Sequence, residues 1–211
     1  MKLIYFPAYG RGEPIRMAFW KAGVEFEDAR ITHEEFGKMK ADGTLPFGQV
    51  PVLELDDGTR LGQSGAILSY IGSKYNMKPQ DPLACHRGES LSDLVWADLV
   101  TKSSAKLIAA HQSEDPAKGF EEVIIEFFVP FLANLEKNLG DTKFVSGDEV
   151  TIYDCSICGF FYNLPLNKSV KAADVWKKYF DEKAGPKTKA LIQNFTEVFK
   201  EYLDKRPDSQ Y

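Results

Sequence analysis

Residues 45–55 read Leu45-Pro46-Phe47-Gly48-Gln49-Val50-Pro51-Val52-Leu53-Glu54-Leu55. Proline donates no ladder hydrogen bond, so Pro51 in front of Val52 and Leu53 marks the first residue of a strand. Asp57-Gly58 is a hairpin turn signal that leads to Arg60-Leu61. Upstream, Leu3-Ile4-Tyr5-Phe6 is a four-residue apolar run stopped by Pro7, the pattern of a buried strand. Pro14 then opens a helical stretch in which Ile15, Ala18 and Phe19 recur at three- and four-residue spacing, and Gly23 ends it. Residues Val24 to Ile31 alternate as a half-exposed strand. Gln63 to Tyr75 is helical, with Ile67, Leu68 and Ile71 on one face. The order strand–helix–strand–helix–strand–strand–helix describes a small mixed α/β sheet domain over residues 1–76.

Residues 77–84, with Pro79 and Pro82 among polar neighbours, read as a linker. From 85 to 211 the periodicity is helical throughout, so an all-α domain follows the α/β one. Between 121 and 139, Val123, Phe127, Phe131, Leu135 and Leu139 form an i, i+4 ladder flanked by Ile124, Phe128 and Leu132. That stripe is broad enough to be buried around most of its girth. Pro130 lies inside it and is expected to kink the helix, because it lacks the N–H owed to residue 126. Leu191, Phe195, Val198, Phe199 and Tyr202 mark a last helix.

The chain has 211 residues, and its 26 Lys and Arg against 31 Asp and Glu give a net charge of −5, which argues against a nucleic-acid binder. No apolar run reaches the roughly 18 residues that span a bilayer, and the opening residues are too short for a secretory leader. Three cysteines imply no disulfide framework, so a reducing, cytoplasmic location is expected.

Thr151-Ile152-Tyr153-Asp154 is a capping box: the threonine hydroxyl accepts from the first turn while the Asp154 carboxylate reaches back to the Thr151 N–H. That accounts for Asp154 without an acid/base role. Cys155-Ser156-Ile157-Cys158 has redox or metal spacing, but it lies far from the first strand and no second pair or His cluster completes a ligand set. Core packing is the reading taken for it, and no metal is expected.

Three features of the first domain converge on chemistry. Tyr5 ends the first strand, where ligands of α/β sheets bind, and Arg11 follows at the start of the first helix. On the residues alone, a half-buried strand aromatic is the favoured reading of Tyr5. A cis Val50–Pro51 bond would turn the Val50 backbone outward to pair with an extended peptide; a trans strand-opening proline is the plain alternative. Gln63-Ser64-Gly65 opens the third helix, where Ser64 is expected to cap and the free N–H groups suit a carboxylate.

The segments Leu3–Phe6, Gly10–Arg16, Leu45–Leu53 and Gln63–Ile67 together resemble the cytosolic glutathione S-transferases of tyrosine type, closest to the sigma class. The resemblance implies a thioredoxin-like domain joined to an all-helical domain, a homodimer, and glutathione as co-substrate. It places Tyr5 as hydrogen-bond donor to the glutathione sulfur and Arg11 in support. Gln63 and Ser64 match the holders of the γ-glutamyl carboxylate, and Val50 before Pro51 matches the residue that pairs with the cysteinyl backbone. Gln49 sits in the same loop, and Lys40 matches a lysine reaching the glycyl carboxylate. Phe36 stands where a tryptophan is common, with the indole N–H lost. Asp98, with Asp93 as its alternative, matches an acidic residue lent across the dimer.

By position, an electrophile pocket between the domains is expected to be walled by Tyr9, Lys102 and its helix to Leu107, and Phe199 or Tyr202; the last two also suit ordinary core. The expected activity is conjugation of glutathione to small apolar electrophiles. A glutathione-dependent isomerase of the prostaglandin D synthase kind or a peroxidase is the alternative, and a non-catalytic protein on the same scaffold is the third reading. No nucleic-acid partner is expected.

Overall fold

The computed structural model describes residues 1–209. Strand β1 (Lys2–Tyr5) leads through a 3₁₀ turn at Gly10–Gly12 into α1 (Glu13–Lys21). Then come β2 (Glu27–Arg30), α2 (His33–Ala41), β3 (Val52–Glu54), β4 (Arg60–Gly62) and α3 (Ser64–Lys74). The sheet runs β2-β1-β3-β4, with β1 parallel to β2 and the other two pairings antiparallel. The element order is the one expected from the sequence. Leu3 and Leu53 face each other across β1 and β3 and both are fully buried, so the strand pattern sets the register.

Local signals fix the helix starts. Thr32 caps α2 by accepting the Glu35 N–H at 3.2 Å, and the Glu35 carboxylate accepts the Thr32 N–H at 2.7 Å. Helix α4 (Pro82–Asp93) starts with Asp81 accepting the Ala84 N–H at 2.8 Å. It continues through a π-helical segment (Leu94–Val100) into α5 (Thr101–Gln112). Helix α6 (Pro116–Val123), a second π segment (Ile124–Phe128) and α7 (Val129–Asn138) likewise form one rod.

This second π segment is how the chain accommodates Pro130. The Val129 N–H reaches back to the Ile124 carbonyl, a five-residue step, so the rod widens ahead of the proline instead of breaking there. Helices α8 (Ile152–Asn163), α9 (Ala173–Lys183) and α10 (Pro186–Lys205) complete the described elements.

The helical core is aromatic. Phe128 sits 5.4 Å from Trp176 in an edge-to-face arrangement, and Phe131, Phe160 and Phe161 pack around it. The capping box at α8 forms as expected, with Asp154 accepting the Thr151 N–H at 2.8 Å and also the Val145 N–H at 2.8 Å. The threonine hydroxyl accepts the Asp154 backbone N–H, completing the box, and also the Tyr153 N–H at 3.3 Å. Cys155 and Cys158 are buried, and burial pushes both thiols well up, which suits packing and not redox chemistry. Among the described residues no helix is long and apolar enough to cross a membrane.

The two layers meet along α1 and α8. Glu13 is almost wholly buried, yet it is paired with Arg16 at 3.4 Å and with Arg206 at 2.8 Å. Arg16 also bonds Asp28 at 3.1 Å on β2. This chain of charges ties the sheet, α1 and the residues after α10 together, and each buried charge has a counter-charge.

Candidate active site

A cleft of about 680 Å³ lies between the sheet and the helical domain, in the size range of small-molecule sites. Arg11, Phe36, Gln49, Val50, Pro51, Gln63 and Ser64 all line it, so seven residues singled out in the sequence meet on one surface. They come from the β1–α1 turn, α2, the loop before β3 and the start of α3. The Val50–Pro51 peptide is cis.

Gln63 adopts φ +67°, a left-handed conformation costly for a residue with a side chain. It, and not Ser64, is the residue preceding the helix, and neither side chain caps it. The expectation that Ser64 caps is therefore corrected: Ser64 occupies the first helical turn. Gln63 Nε2 instead donates to Gln49 Oε1 at 3.4 Å, linking two cleft loops. A helix N-terminus whose hydroxyl is not spent on its own cap can offer both hydroxyl and N–H groups to an anion.

Tyr5 closes β1, about 9% exposed. Its Oη accepts the Arg11 N–H at 3.0 Å. Burial pushes the phenol above its ordinary pKa, and the Arg11 peptide with the Arg11 and Arg16 charges pulls it partly back. The group is thus a neutral hydroxyl whose acceptor side is filled and whose proton is free to be donated. Two glycines make room for it. A Cβ on Gly12 would lie 2.6 Å from Tyr5 Cδ1, and one on Gly10 would lie 2.4 Å from Tyr5 Oη. Gly10 also holds φ +39°, which a side chain would resist.

Arg11 crosses to the helical domain. Its guanidinium stands 5.1 Å from the Trp96 ring, and Nη2 donates to Thr101 Oγ1 at 3.4 Å. Trp96 is pinned in turn by Nε1 donating to Ser156 Oγ at 3.0 Å. Trp96, Ser92 and Asp93 line the cleft and carried no assigned role in the sequence reading, apart from Asp93 as the alternative to Asp98. Trp96 lies in the π segment that follows α4, where the widened turn alters which side chains reach the cleft. Asp98 is not on that wall; it pairs with Lys102 at 2.5 Å. Lys40 does not line the cleft, although its Cε would lie 3.6 Å from a Cβ on Gly48 in the neighbouring loop.

A second chamber of about 330 Å³ lies inside the helical domain, walled by Leu99, Leu107, Phe120, Phe127, Phe160 and Trp176 among others. Gly10 also lines it. Leu107, at the end of the helix expected to wall an electrophile pocket, lines this chamber. Tyr9, Lys102, Phe199 and Tyr202 are not on its wall, which corrects that part of the reading. Tyr9 is buried under Arg206, whose guanidinium stands 3.9 Å from its ring, and its Oη donates to the Pro207 carbonyl at 2.9 Å. Phe199 stacks on Phe195 at 4.0 Å in the core, whereas Tyr202 is half-buried, its Oη donates to Glu13 at 3.0 Å, and with Tyr9 it lines a separate recess of about 610 Å³. Lys102 points its charge at Asp98 on the surface. This wall is built by four helices (α5, α6, α8 and α9) and both π segments packed side by side, an arrangement no single periodicity reveals.

Fold and site together define a thioredoxin-like domain carrying a peptide-sized polar cleft, backed by an all-helical domain with an apolar chamber. A family model described as "Glutathione S-transferase, N-terminal domain" matches residues 1–73. Glutathione S-transferase 3 of Caenorhabditis elegans is 32% identical over all of this chain and 98% of its own. The haematopoietic prostaglandin D synthase of Gallus gallus is 32% identical over 72% of this chain and 73% of its own. The solved structure of NaGST-2 superposes with a TM-score of 0.79 at 27% identity, covering 100% of this chain and 98% of that one. The chain belongs to the glutathione S-transferase family, and it is an enzyme of transferase type. Glutathione is the family's co-substrate. The relatives span nematode, alpha and prostaglandin D synthase types.

Proposed function

We propose that this protein conjugates glutathione to small apolar electrophiles, and that the Tyr5 hydroxyl stabilises the thiolate. One observation carries the reading. Tyr5 lines neither cavity itself, but its Oη is bonded to the peptide of Arg11, which lines the polar cleft, and a side chain on Gly10, which lines the apolar chamber, would collide with that oxygen. This neighbourhood of both cavities supports a hydroxyl that serves where a tripeptide's sulfur and an apolar reactant meet.

The chemistry sets the requirement. A free thiol has a pKa of about 8.5, so only a few per cent is thiolate at neutral pH. Lowering it by about two units takes roughly 2.7 kcal/mol of preferential binding of the charged form. A hydrogen bond to a charged acceptor supplies about 1.5–3 kcal/mol, and the Arg11 charge adds to it. In this reading Gln63 and Ser64 hold the γ-glutamyl carboxylate and the Val50 backbone pairs with the cysteinyl residue. Gln49 and Phe36 wall the tripeptide, and Lys40 reaches toward the glycyl carboxylate. Asp98, with Asp93 as its alternative, lends an acidic group across the dimer. Residues 1–76 bind glutathione and the helices beyond the linker bind the electrophile. The working form is a homodimer of tyrosine type, sigma-like in its closest motifs, and cytoplasmic.

A conjugation assay with a chlorinated nitroarene in saturating glutathione tests this. Turnover well above the uncatalysed thiol rate is expected, with Tyr5→Phe lowering it by about one to two orders of magnitude, or roughly 1.4–2.7 kcal/mol, at little cost in glutathione affinity. Equal turnover of the two proteins would remove Tyr5 from the mechanism. The prostaglandin D synthase relative supports a second reading, isomerisation of an endoperoxide with the thiol regenerated. Product analysis separates it, since conjugation consumes glutathione and isomerisation does not.

A further inference from the structure

The turn that presents Arg11 to Tyr5 has little stiffness of its own, because Gly10 and Gly12 flank that arginine and glycine spans a wide range of backbone angles. Something outside must hold it. Its flanks are fastened by Arg206, through Glu13 at 2.8 Å and the Tyr9 ring at 3.9 Å. Gly10 itself is fastened from the helical domain: its N–H donates to Asn163 Oδ1 at 3.2 Å. Asn163 is the last residue of α8 and also lines the apolar chamber.

We infer that Asn163 is a positioning residue for thiolate formation: it fixes Gly10 so that the next peptide N–H, that of Arg11, points at Tyr5 Oη. Resting on the proposed role of Tyr5, this effect passes through a relay of two hydrogen bonds. The Arg11 N–H fills the acceptor side of the phenol and makes its O–H a stronger donor toward sulfur. With Asn163 removed, Gly10 is free to rotate and that N–H loses its aim. An electrophile filling the chamber touches the very side chain that holds the donor in place, so the two halves of the site meet at one residue.

The neighbouring Asn167 provides a control. Its Nδ2 donates to the Asn163 carbonyl at 3.1 Å and to the Ser209 carbonyl at 2.9 Å. It thus braces the same helix end, and no hydrogen bond links it to Gly10 or Arg11 among the described residues.

The test is the pKa of the glutathione thiol bound to the whole protein, read from the ultraviolet absorbance of the thiolate as pH is raised. Asn163→Ala is expected to raise it by about half a unit, the part of one neutral hydrogen bond that the phenol passes on. Turnover below that pKa should fall about threefold with the glutathione KM unchanged. Asn163→Leu, which keeps an apolar wall of similar size without the acceptor, should do the same and serves if the alanine form does not fold. Asn167→Ala should leave the thiol pKa where it is in the wild type. If Tyr5→Phe raises the pKa while neither Asn163 variant does, the positioning role is wrong and the reading of Tyr5 stands. If Tyr5→Phe leaves the pKa unchanged, the reading of Tyr5 itself fails. Unfolding of both Asn163 variants would overturn the inference in favour of a purely structural role.

Discussion

Gly12→Ala isolates the placement of the Tyr5 ring from its chemistry. Gly12 has φ −81°, which alanine adopts freely, so the backbone exacts no penalty. The added Cβ would lie 2.6 Å from Tyr5 Cδ1 and 2.9 Å from Cγ, whereas carbon atoms rest at roughly 3.5–4.0 Å. The collision is with the root of a rigid buried ring, so the ring must move by about 1 Å. A shift of that size stretches the 3.0 Å bond from the Arg11 N–H past useful length and carries the hydroxyl away from the sulfur. Misplacement of a reacting group by about 1 Å costs on the order of 100-fold in rate, or about 2.7 kcal/mol. Overpacking adds a stability loss of about 1–3 kcal/mol. Steady-state turnover of the chlorinated nitroarene, with glutathione affinity from titration calorimetry and unfolding by urea, separates the two effects. Gly37→Ala is the matched control: a Cβ there meets nothing within 4 Å, and it should leave turnover intact. Turnover of Gly12→Ala within twofold of the wild type would show that the position of the Tyr5 ring does not matter to the reaction.

Further expectations concern pH and stability. Burial holds the Tyr5 phenol above its ordinary value of about 10, so the hydroxyl stays protonated as pH rises. The rate should climb with one ionisation, that of the thiol, and stay level to about pH 9; a fall in kcat/KM before that would contradict it. Replacing Glu13 by Ala strips Arg206 of its carboxylate partner at 2.8 Å and leaves Arg16 with Asp28 alone, and should cost about 3–5 kcal/mol in urea unfolding. A loss under about 1 kcal/mol would mean that the pairs are dispensable. Burial pushes the Asp154 carboxyl up to about 6 against the pull of its hydrogen bonds. Because the folded value lies above the unfolded one of about 3.9, the protonated form favours folding. Its contribution is full below about pH 4 and is lost as pH rises through about 6, a change of about 3 kcal/mol. The stability difference between wild type and Asp154→Asn should shrink or reverse over that range, and a flat difference would refute the assignment.

Much of the fold was legible because its signals are local. Pro51 ahead of Val52, the Asp57-Gly58 turn and the Thr151–Asp154 box each act within a few residues, and each sits where the sequence placed it. The polar cleft was legible for a related reason: Arg11, Val50 and Ser64 all stand at ends of elements facing one rim of the sheet. What escaped was set by packing at a distance. The π turns at Leu94–Val100 and Ile124–Phe128 have no sequence signature, yet the first brings Trp96 to Arg11 and the second absorbs Pro130. Tyr9 and Tyr202 do line a cavity, but a separate one, because Glu13 and Arg206 draw both to the domain junction and away from the polar cleft and the apolar chamber. Asn163 was invisible because its partner is a backbone N–H 153 residues away in sequence.

These long-range contacts also explain why the site is divided between domains. Tyr5 is held by its own turn, Arg11 by Thr101 and Trp96, and Gly10 by Asn163. A sheet domain alone would lack both the cation's anchor and the glycine's anchor. In the proposed mechanism, thiolate stabilisation depends on the helical domain being docked.

The most direct measurement is a crystal structure of the protein bound to glutathione. The account predicts the sulfur within hydrogen-bond reach of Tyr5 Oη, with the γ-glutamyl carboxylate at Gln63 and Ser64. A tripeptide whose sulfur turns away from that oxygen, or which occupies another part of the molecule, would contradict it.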